Sequence, residues 1–167
     1  MAAPIVRRSS GSGVGASTEM TTVRHQFWDT SAFVSLFYEE PFTASALAAR
    51  AVAERYLAWD WLVLESWSAF VRRGSTEAQR RARRRLLRYF TFLVLGEGHA
   101  SALQRQISRH RLRTADAGHL HCLTLAKRLD SGIVFVCCDD ELTRAARERR
   151  IAVWSAGPPD GDLGASA

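Results

Sequence analysis

Short apolar runs alternate along this chain with longer stretches whose apolar residues recur every three or four positions. His25 to Trp28 reads as a short strand ending at Asp29, and Thr30 to Tyr38 as a helix that Asp29 or Thr30 caps. Beyond Pro41, Phe42 to Leu57 carries alanine and larger apolar residues at helical spacing, and alanine is the best helix former. Trp61 to Leu64 predicts a second strand running into Glu65, followed by a helix over Ser66 to Arg73. Ser75 to Tyr89 predicts a strongly basic helix, and Phe90 to Leu95 fits either its last turns or a strand. Helices are expected over Ala100 to His110 and Thr114 to Leu129, with Thr114 as an N-cap. Ile133 to Cys138 is a β-branched and apolar run of the kind buried on both faces; a helix over Asp140 to Arg149 and a strand over Ile151 to Trp154 follow. Strands separated by helices form βαβ units, so the expected class is α/β with a central parallel sheet of about four or five strands.

The ends break this pattern. Residues 1–22 are rich in Ser, Gly, Thr and Ala without periodicity and read as a flexible leader. Gly157-Pro158-Pro159-Asp160-Gly161 stops regular structure, so 157–167 reads as a flexible tail and 23–156 as the folded domain. A chain of 167 residues makes one domain with a real core. No apolar run approaches the ~18 residues of a membrane-spanning helix, and Met1 to Thr22 lacks the apolar block of a secretory signal. A cytoplasmic protein is therefore expected. Cys122, Cys137 and Cys138 have no metal-binding spacing and read as small core residues, the adjacent pair pointing to opposite faces of a strand.

Charge narrows the partners. The net charge is +6 and the pI about 10.0, and the basic residues are almost all arginine, since Lys127 is the only lysine. Planar guanidinium groups suit phosphate, which favours a nucleic-acid partner. Taking 100° per residue, Arg80, Arg81, Arg84, Arg85 and Arg88 fall within an arc of about 140°, with Ala82, Leu86, Leu87 and Phe90 on the other side. Such a stripe is a solvated face, a track for an RNA backbone, or a surface for an acidic protein. Trp59 and Trp61 read as alternating along a strand, and with Trp28, Trp67 and Trp154 as core or interface aromatics.

Four acids carry the candidate chemistry. Asp29 and Asp139 follow apolar runs, Glu65 lies at a strand-to-helix junction, and Asp116 falls in a first helical turn. Singly, each is explained by capping or by the helix dipole. Together at one rim of an open sheet they repel, and a divalent cation relieves that repulsion. Oxygen donors without Cys or His point to Mg²⁺ or Mn²⁺, ions that polarise a phosphoryl oxygen and activate water.

The segments Phe27-Trp28-Asp29-Thr30-Ser31-Ala32-Phe33, Leu62-Val63-Leu64-Glu65-Ser66, Leu112 to Leu120 and Cys138 to Ala146 resemble, in order and spacing, the motifs of PIN-domain ribonucleases, and most of all VapC-type toxins of bacterial toxin–antitoxin pairs. The resemblance spans Phe27 to Val153. It implies a three-layer αβα fold, with Asp29, Glu65, Asp116 and Asp139 binding one or two divalent ions. Ser31 matches a hydroxyl position close to that metal. It further implies hydrolysis of RNA to a 3′-hydroxyl and a 5′-phosphate, a homodimer and a cognate antitoxin. Cys137 stands where the family often has Thr or Ser, Gly118 and His121 depart from its usual helix, and Asp140 competes with Asp139 as fourth ligand, Asp139 keeping the family register. His119 matches a position of packing or orientation rather than of catalysis. A PIN-like module that only binds RNA or a partner is the alternative. A receiver domain would need a lysine after a late strand, and a haloacid-dehalogenase phosphatase an Asp at Ser31.

Overall fold

In a computed structural model of the protein, residues 25–154 are described; the expected leader and tail lie outside them. The elements are β1 (His25–Trp28), α1 (Thr30–Ser35), α2 (Thr43–Val52), β2 (Arg55–Trp59), α3 (Leu62–Arg72), α4 (Glu77–Leu87), β3 (Phe90–Leu93), α5 (Ala100–His110), α6 (Thr114–Leu129), β4 (Val134–Val136), α7 (Asp140–Arg147) and β5 (Ala152–Val153). The five strands form one parallel sheet in the order β3-β2-β1-β4-β5.

Successive strand residues point to opposite faces, and here they feed two separate cores. Phe27 and Phe135 pack with Leu120 and Leu123 of α6 and Leu142 of α7. Their neighbours Trp28 and Val136 pack with Phe33 of α1, Ala49 of α2, Leu62 of α3 and Leu86 of α4. The result is an αβα sandwich, with α1 to α4 over one face and α5 to α7 over the other. Each fully buried aromatic, such as Phe27 or Trp28, contributes on the order of 2–3 kcal/mol relative to exposure.

Several expected elements shift. The helix foreseen over Phe42 to Leu57 stops at Val52, and its last residues belong to β2. Alanine-rich helical spacing concealed a strand whose Ala58 is buried in the sheet. The expected strand Trp61 to Leu64 is instead the start of α3. An apolar run of four residues has no period of its own, and here helical rotation buries Leu62, Ser66, Ala69 and Phe70. Trp59 and Trp61 consequently do not alternate along a strand. One ends β2, the other precedes α3, and their rings stack at 5.7 Å. Phe90 to Leu93 is an edge strand, and Arg113 rather than Thr114 is the N-cap of α6. Cys137 and Cys138 do face opposite cores.

Helix α4 carries one arginine outside the stripe. Arg83 is 5% exposed, donates from Nε to Ser66 Oγ at 3.0 Å and to the Val63 carbonyl, and lies over the rings of Trp67 and Phe70. It fastens α4 to α3, the helix that carries Glu65. Arg83→Ala is expected to cost about 1.5–3 kcal/mol, as for hydrogen bonds from a charged donor, and urea denaturation reads that loss directly.

Candidate active site

Parallel strands bring their carboxyl ends to one edge of the sheet, and β1 and β4 are neighbours there. The Asp29 amide bonds to the Val136 carbonyl at 2.9 Å, and the Asp29 side chain caps α1 by accepting from Ser31 N at 2.9 Å. Ser31 Oγ also donates to Asp29 Oδ2 at 2.5 Å and accepts from Cys138 N at 3.1 Å. One oxygen of a nearly buried carboxylate is thus held from two sides. The other faces inward, with His119 Nδ1 at 3.7 Å.

Asp139 does not end β4 directly. The strand stops at Val136, and Asp139 caps α7, accepting from Leu142 N at 2.8 Å. Cys137 accepts from Asp139 N at 3.3 Å through its sulfur, so it holds the turn where a hydroxyl was expected. Burial pushes the Cys138 thiol up to about 11 and the Cys137 thiol higher still, so both stay protonated and inert near neutral pH. Asp140 opens α7 and lines a separate cavity of about 200 Å³ with Thr143, Arg147 and Trp154.

Glu65 lies in the first turn of α3 rather than at the end of a strand. Its Oε2 accepts from Thr30 Oγ1 at 2.6 Å and pairs with His119 Nε2 at 2.7 Å. Burial raises the Glu65 pKa, but the bonds from His119 and Thr30 outweigh it and hold the carboxyl below its ordinary value. His119 is 1% exposed, stands edge-on to Trp59 at 5.4 Å, and has no hydrogen-bond partner for Nδ1. Burial disfavours its charged form, yet the charges of Asp29, Glu65 and Asp116 prevail and raise its pKa. Thr30 gave no signal of this contact in the sequence beyond a place beside Asp29, because its partner is 35 residues away.

Asp116 sits in the first turn of α6, and burial followed by the charges of Asp29 and Asp139 raises its pKa. Asp116 therefore lies within electrostatic reach of both Asp29 and Asp139, and Glu65 is tied to Asp29 through His119. Among the described residues no group of three or more His, Cys, Asp or Glu side chains is arranged to hold an ion. The donor chemistry nonetheless fits a hard divalent cation: the groups are carboxylate oxygens, and their charges work against one another. Beside Glu65 opens a cavity of about 340 Å³ lined in part by Thr30, Ser31, Ser68, Arg72 and Arg73. On α4, Arg81 and Arg84 both bond to Glu77, Arg80 bonds to Ser75, and Arg85 and Arg88 are exposed.

A family model described as PIN domain matches residues 27–150. The crystal structure of PAE2754 from Pyrobaculum aerophilum is similar in fold, with a TM-score of 0.54 and 18% sequence identity over 84% of this chain and 92% of that one. No curated protein matches the chain.

Proposed function

Because this chain belongs to the PIN domain family, whose members are typically nucleases, we propose that it is a divalent-metal-dependent endoribonuclease and the toxin of a type II toxin–antitoxin pair. What supports this reading is that Asp29 and Asp139 follow the neighbouring strands β1 and β4, and that the charges of both reach Asp116. Asp29, Asp116 and Asp139 would hold Mg²⁺ or Mn²⁺, with Glu65 completing the set. When bound, the ion polarises a phosphoryl oxygen and lowers the pKa of water.

The protein's own residues do the positioning. Ser31 holds Asp29 Oδ2, leaving Oδ1 turned toward the centre. His119 and Thr30 fix the Glu65 carboxylate, and Trp59 backs His119. Water oxygen bonds to phosphorus, the bond to the 3′ oxygen breaks, and the proton lost by water balances the one gained by the 3′-hydroxyl. Arg72 and Arg73 beside Glu65, and Arg80, Arg81, Arg84, Arg85 and Arg88 on α4, are the candidate contacts for flanking phosphates.

A cognate antitoxin and a second copy of the chain are the proposed partners. Trp61, Leu64, Trp67 and Val71 are all exposed and share an arc of about 120° along α3, an apolar surface of the kind a protein partner covers. No helix among the described residues is long and apolar enough to cross a membrane, and the reading places the protein in the cytoplasm.

Incubating the purified chain with structured and unstructured RNA, in Mg²⁺, in Mn²⁺ and in chelator, tests the chemistry. Metal-dependent cleavage is expected, and cleavage that survives chelation would sink the mechanism. Growth arrest on expression, relieved by the neighbouring gene product, separates a toxin from an inert RNA-binding module.

A further inference from the structure

The largest cavity described lies away from the carboxylates. It is a groove of about 780 Å³ between α5 and α6, lined by Arg105 and Arg109 from α5, by His121, Thr124 and Arg128 from α6, and by Arg149 after α7. At 100° per residue, the groove-lining positions of α6 point about 160° away from Asp116 and His119. One helix therefore presents the candidate active site on one side and this groove on the other.

Its charge is not neutralised. None of the lining residues is a carboxylate, and among the described residues Arg105, Arg109 and Arg128 take part in no ion pair. This contrasts with α4, where Glu77 holds both Arg81 and Arg84. Arg149 is fixed in place by the Ala145 carbonyl at 2.7 Å, by Gln106 and by His110 Nε2 at 2.9 Å. Burial and the Arg149 charge hold the His110 pKa below its ordinary value, so the ring is neutral and accepts that bond.

The remaining lining decides the class of ligand. Ser, Thr and Gln side chains accompany the arginines, and no Phe, Tyr or Trp is present. A protein interface combines arginine with aromatic and Met anchors, and those anchors are missing here, whereas arginine with hydroxyl and amide donors is the set that grips phosphates and sugars. The volume exceeds what one small anion fills. We propose that the α5–α6 groove is a second RNA-binding site, which holds the phosphodiester backbone at a distance from the carboxylates. This rests on the nuclease reading for the identity of the nucleic acid, and it gives the enzyme a hold on the substrate outside the cleaved segment.

The test uses the full chain, a fluorescently labelled single-stranded RNA and chelator, so that binding is read without hydrolysis. Affinity is measured by anisotropy across a series of KCl concentrations. Each phosphate contact contributes about 0.7 to the slope of log K against log salt for a single strand. The double variant Arg105→Gln with Arg128→Gln is expected to flatten that slope by about 1.4, while Arg105→Lys with Arg128→Lys keeps it. Both side chains are exposed, so the melting temperature should not move. An unchanged slope in the Gln pair overturns the proposal. So does a loss confined to binding of polyglutamate, which would make the groove a surface for acidic proteins. The two readings fail separately. A groove-dependent slope in chelator with no hydrolysis when Mg²⁺ or Mn²⁺ is supplied removes the nuclease and leaves the groove; metal-dependent hydrolysis with a groove-independent slope does the reverse.

Discussion

Asp116→Asn is expected to abolish metal-dependent RNA cleavage and at the same time make the metal-free protein harder to unfold. Asp116 is half-buried and faces the charges of Asp29 and Asp139, which together raise its pKa above the unfolded value. A carboxylate whose folded pKa is raised binds protons more tightly in the folded state. It therefore loses stability for the fold as pH climbs through the unfolded and then the folded pKa, and at neutral pH its charge is a net burden. Asparagine keeps the shape and removes the charge. The melting temperature of the variant should exceed that of the wild type at pH 7 in chelator and converge with it at acid pH. Adding Mg²⁺ should raise the wild type and leave the variant nearly unmoved, because a ligand that binds only the folded state stabilises it by mass action. Changes to groups that merely support a metal ligand cost about 10–100-fold, so loss of the ligand itself should exceed that in a single-turnover assay. Asp116→Asn with undiminished cleavage would remove Asp116 from the site, and a lower melting temperature would show that the repulsion is not there.

Gly118→Ala carries the second large effect. A Cβ at this position would stand 2.1, 2.3 and 2.8 Å from three atoms of the Trp59 ring. In an ordinary helix interior the change would stabilise by about 1 kcal/mol. Here the ring must move, and overpacking of this kind costs typically about 1–3 kcal/mol. The ring is not free to swing, since it stacks on Trp61 and stands edge-on to His119. A net loss of up to about 2 kcal/mol is expected by thermal or urea denaturation. Cleavage should fall as well, because His119 holds Glu65. Trp59→Phe shortens the ring system, so combining it with Gly118→Ala should recover part of the stability lost, a coupling that a double-mutant cycle reads out. If Gly118→Ala alone raises the melting temperature, the close packing of α6 on β2 is wrong.

The positions of Asp29 and Asp116 were legible because they follow from local rules. A carboxylate at the end of an apolar run caps the next helix, and one in a first turn is favoured by its dipole. Glu65 was legible as a candidate but not in its setting. Trp61 to Leu64 looked like a strand because a short apolar run is compatible with either period, and only the core that takes in Leu62 with Phe33 and Leu86, and the bonds of Arg83 to Ser66 and Val63, made it a helix. The β2 strand was hidden for the opposite reason, the alanine-rich helical spacing of α2 running on into it until the sheet claimed Ala58. Gly118 stood out as a departure from a motif, yet nothing near it in the chain told of Trp59, which reaches it from another element.

The sequence by itself determined the α/β class, the parallel sheet, and the helix starts at which Asp29, Asp116 and Asp139 stand. These depend on hydrophobic period and on capping, which act over a few residues. Only the tertiary structure decided that His119 would bridge toward Glu65 and Asp29, that Arg83 would leave the arginine face to fasten two helices, and that α6 would carry Asp116 and His119 on one side and line an arginine-rich groove on the other. Those outcomes depend on how each helix is rotated on the sheet, a choice made by shape and burial between residues far apart in the chain.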